Sequence, residues 1–282
     1  MNEVEYYLED LKSRFSGIDK TKYYLSYSGG KDSHFLYWFI KEYLHDKEIE
    51  IVSVNTFMEH QEIRECMYKN SNVVLLPKMK PFEIKEKYGI PCFSKSQDDF
   101  INRYQNGSRS KSTLQRIHGN GEDGNWTRFK INNKAKRLLL SGELHKVSPN
   151  CCKYLKKEPF KDYEKSSGRK AIIGVRGGES ILRKSKYTSR FTKDKKFTPL
   201  HDLTDEMMDK IYAKYNIPIP KVYKYITRTG CMGCPYGSWK KDTQKELELI
   251  SENQRKFVEN YFKESYEVLG IISNDIQLKF DL

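Results

Sequence analysis

Residues 23–40 read YYLSYSGGKDSHFLYWFI. An aromatic-rich apolar run climbs into Ser-Gly-Gly-Lys-Asp-Ser and leaves as a second apolar run. The first run predicts a strand at 23–27 and the second a helix from Asp32 to Leu44. Two glycines permit a tight turn and let backbone N–H groups approach a ligand, while the helix N-terminus adds partial positive charge. Strand, glycine turn and helix therefore predict an anion pocket at residues Ser28, Gly29, Gly30, Lys31, Asp32 and Ser33. Lys31 and the hydroxyls of Ser28 and Ser33 add donors. This is not a Walker loop, because GxxxxGK[ST] fails where only Gly29-Gly30-Lys31 is present.

Working outward, the chain alternates. A helix is expected at 3–15, strands at 49–55 and 72–76 with a helix from about 59 to 70 between them, and a further strand at 170–177. That order predicts an α/β fold with a doubly wound parallel sheet. Asn55 and Thr56, at the end of the second strand, are expected beside the ligand, because doubly wound sheets bind at strand ends. Residues 106–134 are basic and rich in Gly, Asn and Ser, and read as a long insertion or mobile lid, partly helical at its edges. The expected organisation is an α/β domain over 1–240, with a basic insertion at about 94–150, and a C-terminal helical segment over 241–282. In that segment Leu247, Ile250, Phe257, Tyr261 and Phe262 fall at helical spacing.

The 282 residues are 37% hydrophobic and 32% charged, enough for a core beneath a highly polar surface. No run is long and apolar enough for a membrane span, and the start MNEVEYYLEDLKSRF lacks the apolar centre of a secretory signal. A cytoplasmic protein is expected. The formal charge of +13 is uneven: 94–200 hold 26 Lys/Arg against 10 Asp/Glu, a net of +16. This reads as a lysine-rich solvated surface or as a face for a polyanion such as DNA or RNA. The six histidines form no HExxH and suggest no triad.

Six cysteines occupy 66, 92, 151, 152, 231 and 234. An adjacent pair and a CxxC read as metal or redox chemistry before disulfides. Four thiolates suit a 4Fe–4S cluster, and a four-cysteine zinc site is the alternative.

SGGKDS resembles the SGGxDS loop of PP-loop enzymes with the adenine nucleotide alpha hydrolase fold. CCKYLKKEP is similar to the CCxxxKxxP segment of iron–sulfur adenylylsulfate reductases, and GVRGGESILR to their G-x-R-x-x-x-S-x-x-R. FTPLHDLTDEMMDKIYAKYNIPIPKVY resembles their P-L-x-x-W-T stretch, with Leu203 in place of tryptophan. The matches span about residues 20 to 240 and point to the iron–sulfur, adenylylsulfate reductase or DndC-like, branch of the phosphoadenosine phosphosulfate (PAPS) reductase family. The resemblance implies a nucleotide site that includes Arg176 and Arg183, a 4Fe–4S cluster on Cys151, Cys152, Cys231 and Cys234, and Lys156 close to that cluster. It implies ATP or adenylyl sulfate as substrate, with magnesium, and Lys31, Asp32 and Lys156 as candidate catalytic groups. One departure matters. The family's sulfonucleotide reductases attack sulfur with a cysteine in the C-terminal tail, whereas here the tail reads GIISNDIQLKFDL and the last cysteine is Cys234. The expected activity is therefore cleavage of ATP at the α-phosphate, which activates an acceptor, nucleic acid among the candidates, for sulfur from a donor protein. A sulfonucleotide reductase using an external thiol and a non-catalytic nucleotide- or nucleic-acid-binding regulator are the alternatives.

Overall fold

A computed structural model of the protein describes residues 2–120, 129–177, 188–226, 229–237 and 243–271. In chain order the elements are α1 (Glu3–Ser16), β1 (Tyr23–Ser26), α2 (Lys31–Trp38), β2 (Glu50–Val54), α3 (Gln61–Asn70), β3 (Val73–Leu75), α4 (Pro81–Tyr88), α5 (Lys95–Gln105), α6 (Lys111–His118) and α7 (Asn133–Ser141). There follow α8 (Glu158–Ser167), β4 (Lys170–Ile172), α9 (Asp205–Lys214), α10 (Thr243–Leu249) and α11 (Glu252–Leu269). The chain divides into two compact units. The first is Met1–Asn55, His60–Leu76 and Pro159–Thr229; the second is Thr56–Glu59, Pro77–Glu158 and Gly230–Leu282.

The first unit carries a four-stranded, all-parallel sheet in the order β3-β2-β1-β4. Side chains alternate across a strand, so neighbours in sequence face opposite sides. Leu25, Ile51 and Ile172 join Leu8, Leu11, Phe15, Phe35 and Ile211 in one core. Tyr24, Val52 and Ala171 pack on the other face with Phe160 and Tyr163 of α8. Both faces are covered, which makes the fold α/β with a doubly wound parallel sheet, as the alternation predicts.

Two expected elements are shorter than their apolar runs suggest. The helix after β1 is α-helical only to Trp38 and continues as a π-helical turn, Phe39–Tyr43. The strand expected over 170–177 ends at Ile172, because the chain then turns across the first turn of α2: a Cβ on Gly174 would lie 3.0 Å from the Asp32 carbonyl group. That close approach needs the missing side chain.

The second unit is helical among its described residues. One core gathers Met58, Ile84, Leu155, Met232, Leu247, Val258, Tyr261 and Phe262. This core takes in the apolar stripe of the C-terminal segment, where Phe257 and Ile250 are partly buried against it. A second core joins Ile101 of α5, Ile117 of α6 and Ala135 and Leu139 of α7. Helix α6 lies near the start of the 106–134 insertion, where a helical edge is expected; the stretch's Gly and Asn residues mask two apolar anchors, Ile117 and Ile131, that are almost fully buried. No described helix is long and apolar enough to cross a membrane.

Candidate functional site

The order β3-β2-β1-β4 reverses direction between β1 and β4, and open α/β sheets bind ligands outside the carboxyl ends of strands at such a point. Here the loop after β1 and the loop after β4 line a cleft of about 330 Å³, with Ser28, Gly30, Lys31, Asp32 and Ser33 from one and Gly174 and Arg176 from the other. Asp205, Tyr223 and Thr229 complete it.

Gly29 and Gly30 serve different ends. Gly29 has φ +68°, and a Cβ there would sit 2.9 Å from Cγ2 of Ile63 on α3. Backbone conformation and packing both demand glycine. Gly30 is the N-cap of α2 with φ −75°, open to any residue, yet its Cβ would lie 3.1 to 3.3 Å from Oγ1 of Thr229, Oη of Tyr223 and Oγ of Ser28. Its missing side chain keeps that cradle of hydroxyls empty. Ser33 braces the loop, its hydroxyl accepting from the Ser28 N–H at 3.2 Å and donating to the Gly30 carbonyl at 2.9 Å.

The cleft's donors are paired internally. The Lys31 N–H, at the start of α2, donates to Oη of Tyr223 at 2.6 Å, and that hydroxyl shares a hydrogen bond of 2.9 Å with Thr229. The phenol oxygen thus takes the place an anion oxygen would take at a helix N-terminus. The Lys31 ammonium reaches Asp209 at 2.5 Å. Arg176 donates through Nε to Asp32 at 2.8 Å and through Nη1 to Asp205 at 2.5 Å. Sequence reading missed Gly174, Asp205, Tyr223 and Thr229. Asp205 sits in the first turn of α9 and reads locally as a helix-start acid, and nothing near Tyr223 or Thr229 marks them.

Asn55 and Thr56 do not line the cleft. Asn55 donates through Nδ2 to Tyr68 at 2.9 Å, whereas Thr56 falls in the second unit and bonds the Glu59 carboxylate through both N–H and hydroxyl. Arg183 lies outside the described residues.

The second unit brings Cys151, Cys152, Cys231 and Cys234 together. Charge on each of the other three pushes the Cys151 thiol up, most of all through its hydrogen bond to Cys152, while that bond pulls Cys152 down. The chain after the pair passes through a π-helical turn, Lys153–Lys157, which sets Lys156 among the same thiols. Charge on Cys231 is the largest influence raising Lys156, and Glu59 and the other thiols add to it. The CxxC sits in a turn in which the Cys234 N–H donates to the Cys231 carbonyl at 3.2 Å. Gly233 there has φ +57°, and a Cβ would collide with Oη of Tyr266. The thiols are within electrostatic reach of one another without being drawn to a point: among the described residues, no group of three or more His, Cys, Asp or Glu is placed to hold a metal ion. The donor set itself, four soft thiolates with a cation beside them, suits an iron–sulfur centre or zinc.

No family model matches the sequence, and no curated protein matches it. Among solved structures, the chain is similar to phosphoadenylyl-sulfate (PAPS) reductase from Candida auris, in a phosphate complex, at 12% identity over 77% of this chain and 83% of that one, with a TM-score of 0.42. It is also similar to NH3-dependent NAD synthetase from Campylobacter jejuni subsp. jejuni, in complex with nitrate, at 14% identity over 94% of each chain, with a TM-score of 0.36. Neither likeness bears on the chemistry of the site.

Proposed function

We propose that the chain is a PP-loop-type enzyme of the PAPS reductase kind that binds ATP, or a related adenine nucleotide, and cleaves it at the α-phosphate to activate an acceptor for sulfur transfer. The observation that carries this reading is the convergence of SGGKDS and Arg176 on one cleft between the ends of β1 and β4. The phosphates would displace the Tyr223 hydroxyl from the Lys31 N–H and accept from that N–H and from the hydroxyls of Ser28 and Thr229, and Arg176 would present a planar fork to them. Magnesium suits the oxygen ligands that the Asp32 and Asp205 carboxylates offer in the same cleft. An acceptor oxygen attacks the α-phosphorus, the bond to the bridging oxygen breaks, and pyrophosphate leaves with that electron pair. The acceptor's proton passes to Asp32 or to water. A hydrosulfide supplied by a sulfur donor then attacks the activated acceptor atom, the bond from that atom to the AMP oxygen breaks, and AMP leaves with the electron pair. Positioning and charge neutralisation are the catalytic tasks in such in-line steps.

Cys151, Cys152, Cys231 and Cys234 would hold a 4Fe–4S cluster, which when bound supplies electrons or sulfide to the sulfur-transfer half of the reaction. Lys156 would offset the cluster's negative charge. The two remaining cysteines fit poorly as nucleophiles toward a sulfonucleotide. Cys92 is fully buried, and burial pushes its thiol up to about 12; Cys66, half-buried, is also raised by burial. This favours ATP chemistry over a sulfonate intermediate on the chain itself.

The test is to prepare the protein anaerobically and incubate it in parallel with ATP and with adenylyl sulfate or its 3′-phosphorylated form plus thioredoxin. AMP and pyrophosphate from ATP, lost in Asp32→Asn, support the reading. Sulfite release would replace it with a reductase that uses an external thiol. Nucleotide binding without turnover would replace it with a regulator, and no binding of any adenine nucleotide would end it.

A further inference from the structure

Helices α6 and α7 of the second unit begin with cations and no acid, and α6 holds Arg116 and His118 in its last turn as well. Acidic side chains stabilise a helix N-terminus and cations destabilise it. Every other described α-helix has an acid in its first turn, even where it opens on a lysine as α2 and α5 do: Glu3 and Glu5 in α1, Asp32 in α2, Glu62 in α3, Glu83 in α4, Asp98 in α5, Glu158 in α8, Asp205 and Glu206 in α9, Glu246 in α10 and Glu252 in α11. α6 and α7 have none. α6 opens on Lys111, and the first turn of α7 reads Asn-Lys-Ala-Lys. A surface made only for solubility has no reason to leave two neighbouring helix starts basic and without an acid.

The cations around them are also oriented by groups that leave their charge in place. Arg116 donates to the Phe129 carbonyl at 2.6 Å and lies between two rings, 4.8 Å from the centroid of Phe100 and 5.1 Å from that of Phe129. Arg109 lies 3.8 Å from the centroid of the Tyr104 ring and donates to the carbonyls of Tyr104 and Ser108. Lys136 donates to the His118 carbonyl at 2.8 Å, which ties α7 to the end of α6. Among the described residues no carboxylate pairs with Arg109, Arg116 or Lys136. Lys134 and Arg137 are exposed on α7, and Phe129 is 57% exposed.

Fixed cations interleaved with aromatic rings match a phosphate backbone carrying accessible bases: the cations take phosphates and the flat rings take base faces. We propose that the surface formed by α5, α6 and α7 binds a nucleic-acid strand, with Lys134, Lys136 and Arg137 on phosphates and Phe129 as a stacking platform. The stacked guanidiniums favour this ligand over an acidic protein, which offers carboxylates but no bases. The surface lies wholly within the second unit, so the inference stands independently of the nucleotide reading.

Fluorescence anisotropy of the full-length protein with mixed-sequence single-stranded RNA, single-stranded DNA and duplex DNA, at stepped potassium chloride, tests it. Removing one cation from a phosphate costs about fivefold near 0.1 M salt on single strands, so Lys134→Ala/Lys136→Ala/Arg137→Ala should weaken binding about a hundredfold and flatten the log–log salt slope by about 2. Phe129→Ala should weaken single-strand binding about tenfold and leave the slope unchanged, a readout that a folding defect would not give. Tighter binding of RNA or of DNA selects the source of the strand. No binding at low salt, a triple variant with an unchanged slope, or equal competition by poly-glutamate or phosphatidylserine vesicles would overturn the proposal. Nucleotide binding should be unaffected in every variant, which separates failure here from failure of the ATP reading.

Discussion

Gly30→Ala separates the ligand role of the glycine turn from its structural role. At φ −75° and ψ 158° alanine is as comfortable as glycine, and the substitution narrows the unfolded ensemble, a gain of about 0.4–1 kcal/mol. Against this, the new Cβ would stand 3.1 Å from Oγ1 of Thr229, 3.2 Å from Oη of Tyr223 and 3.3 Å from Oγ of Ser28. These hydroxyls need move only a few tenths of an ångström, so the melting temperature should stay within about 2–4 °C of wild type. Ligand binding should not survive so well. The methyl group fills the space in which a phosphate oxygen would meet the Lys31 N–H and one of those hydroxyls. Two charge-assisted hydrogen bonds at about 1.5–3 kcal/mol each amount to about 3–6 kcal/mol, a hundredfold to ten-thousandfold in affinity. Titration calorimetry with ATP and with inorganic phosphate reads this directly, beside a thermal melt. Gly29→Ala is the contrast: at φ +68° and 2.9 Å from Ile63 it should cost about 2–4 kcal/mol of stability. A Gly30→Ala protein that binds ATP as tightly as wild type would refute the assignment of the cradle.

Tyr223→Phe removes the hydroxyl that accepts from the Lys31 N–H in the free protein. The fold should lose about 1 kcal/mol in chemical denaturation, and phosphate should bind about fivefold more tightly, since it no longer displaces that partner; weaker phosphate binding would instead make Tyr223 part of the ligand site. Cys152→Ser and Cys231→Ser should each abolish the visible sulfur-to-iron absorption of anaerobically reconstituted protein and lower iron from about four per chain toward none, and stoichiometric zinc without iron in the wild type would decide for the alternative metal. His145 is lowered to about 4 from an ordinary 6.5, chiefly by burial. Its Nε2 lies 3.0 Å from Oγ of Ser265. Below pH 6.5 the unfolded chain takes up a proton that the folded one refuses, so stability should fall by about 2–3 kcal/mol between pH 6.5 and 4 and level off below. Denaturant titrations across that window should show the slope in wild type and its loss in His145→Gln.

Periodicity and turn chemistry are local, and what they govern was legible in the residues. The run from Tyr23 to Ile40 declares strand, glycine turn and helix because β1, Gly29 and α2 are each short-range choices of backbone conformation. The parallel sheet follows from how such units connect. The anion-binding character of SGGKDS is likewise a local matter of N–H groups and a helix end. Composition revealed that the middle of the chain is basic, but not that Lys111 and Lys134 sit in helical first turns, because Gly and Asn residues hide where the helical edges of the insertion begin and end. Tertiary structure alone decided the rest. Tyr223, Thr229 and Asp205 reach the cleft from segments more than 170 residues beyond Lys31 in the chain. Asn55 ends the expected strand yet turns its amide to Tyr68. Gly30 looks like Gly29 in the sequence, and only the hydroxyls that surround it show that its role is to leave space. Contacts between residues far apart in the chain depend on how whole elements pack, and a single sequence records the local preferences of each element but not the surfaces they come to share.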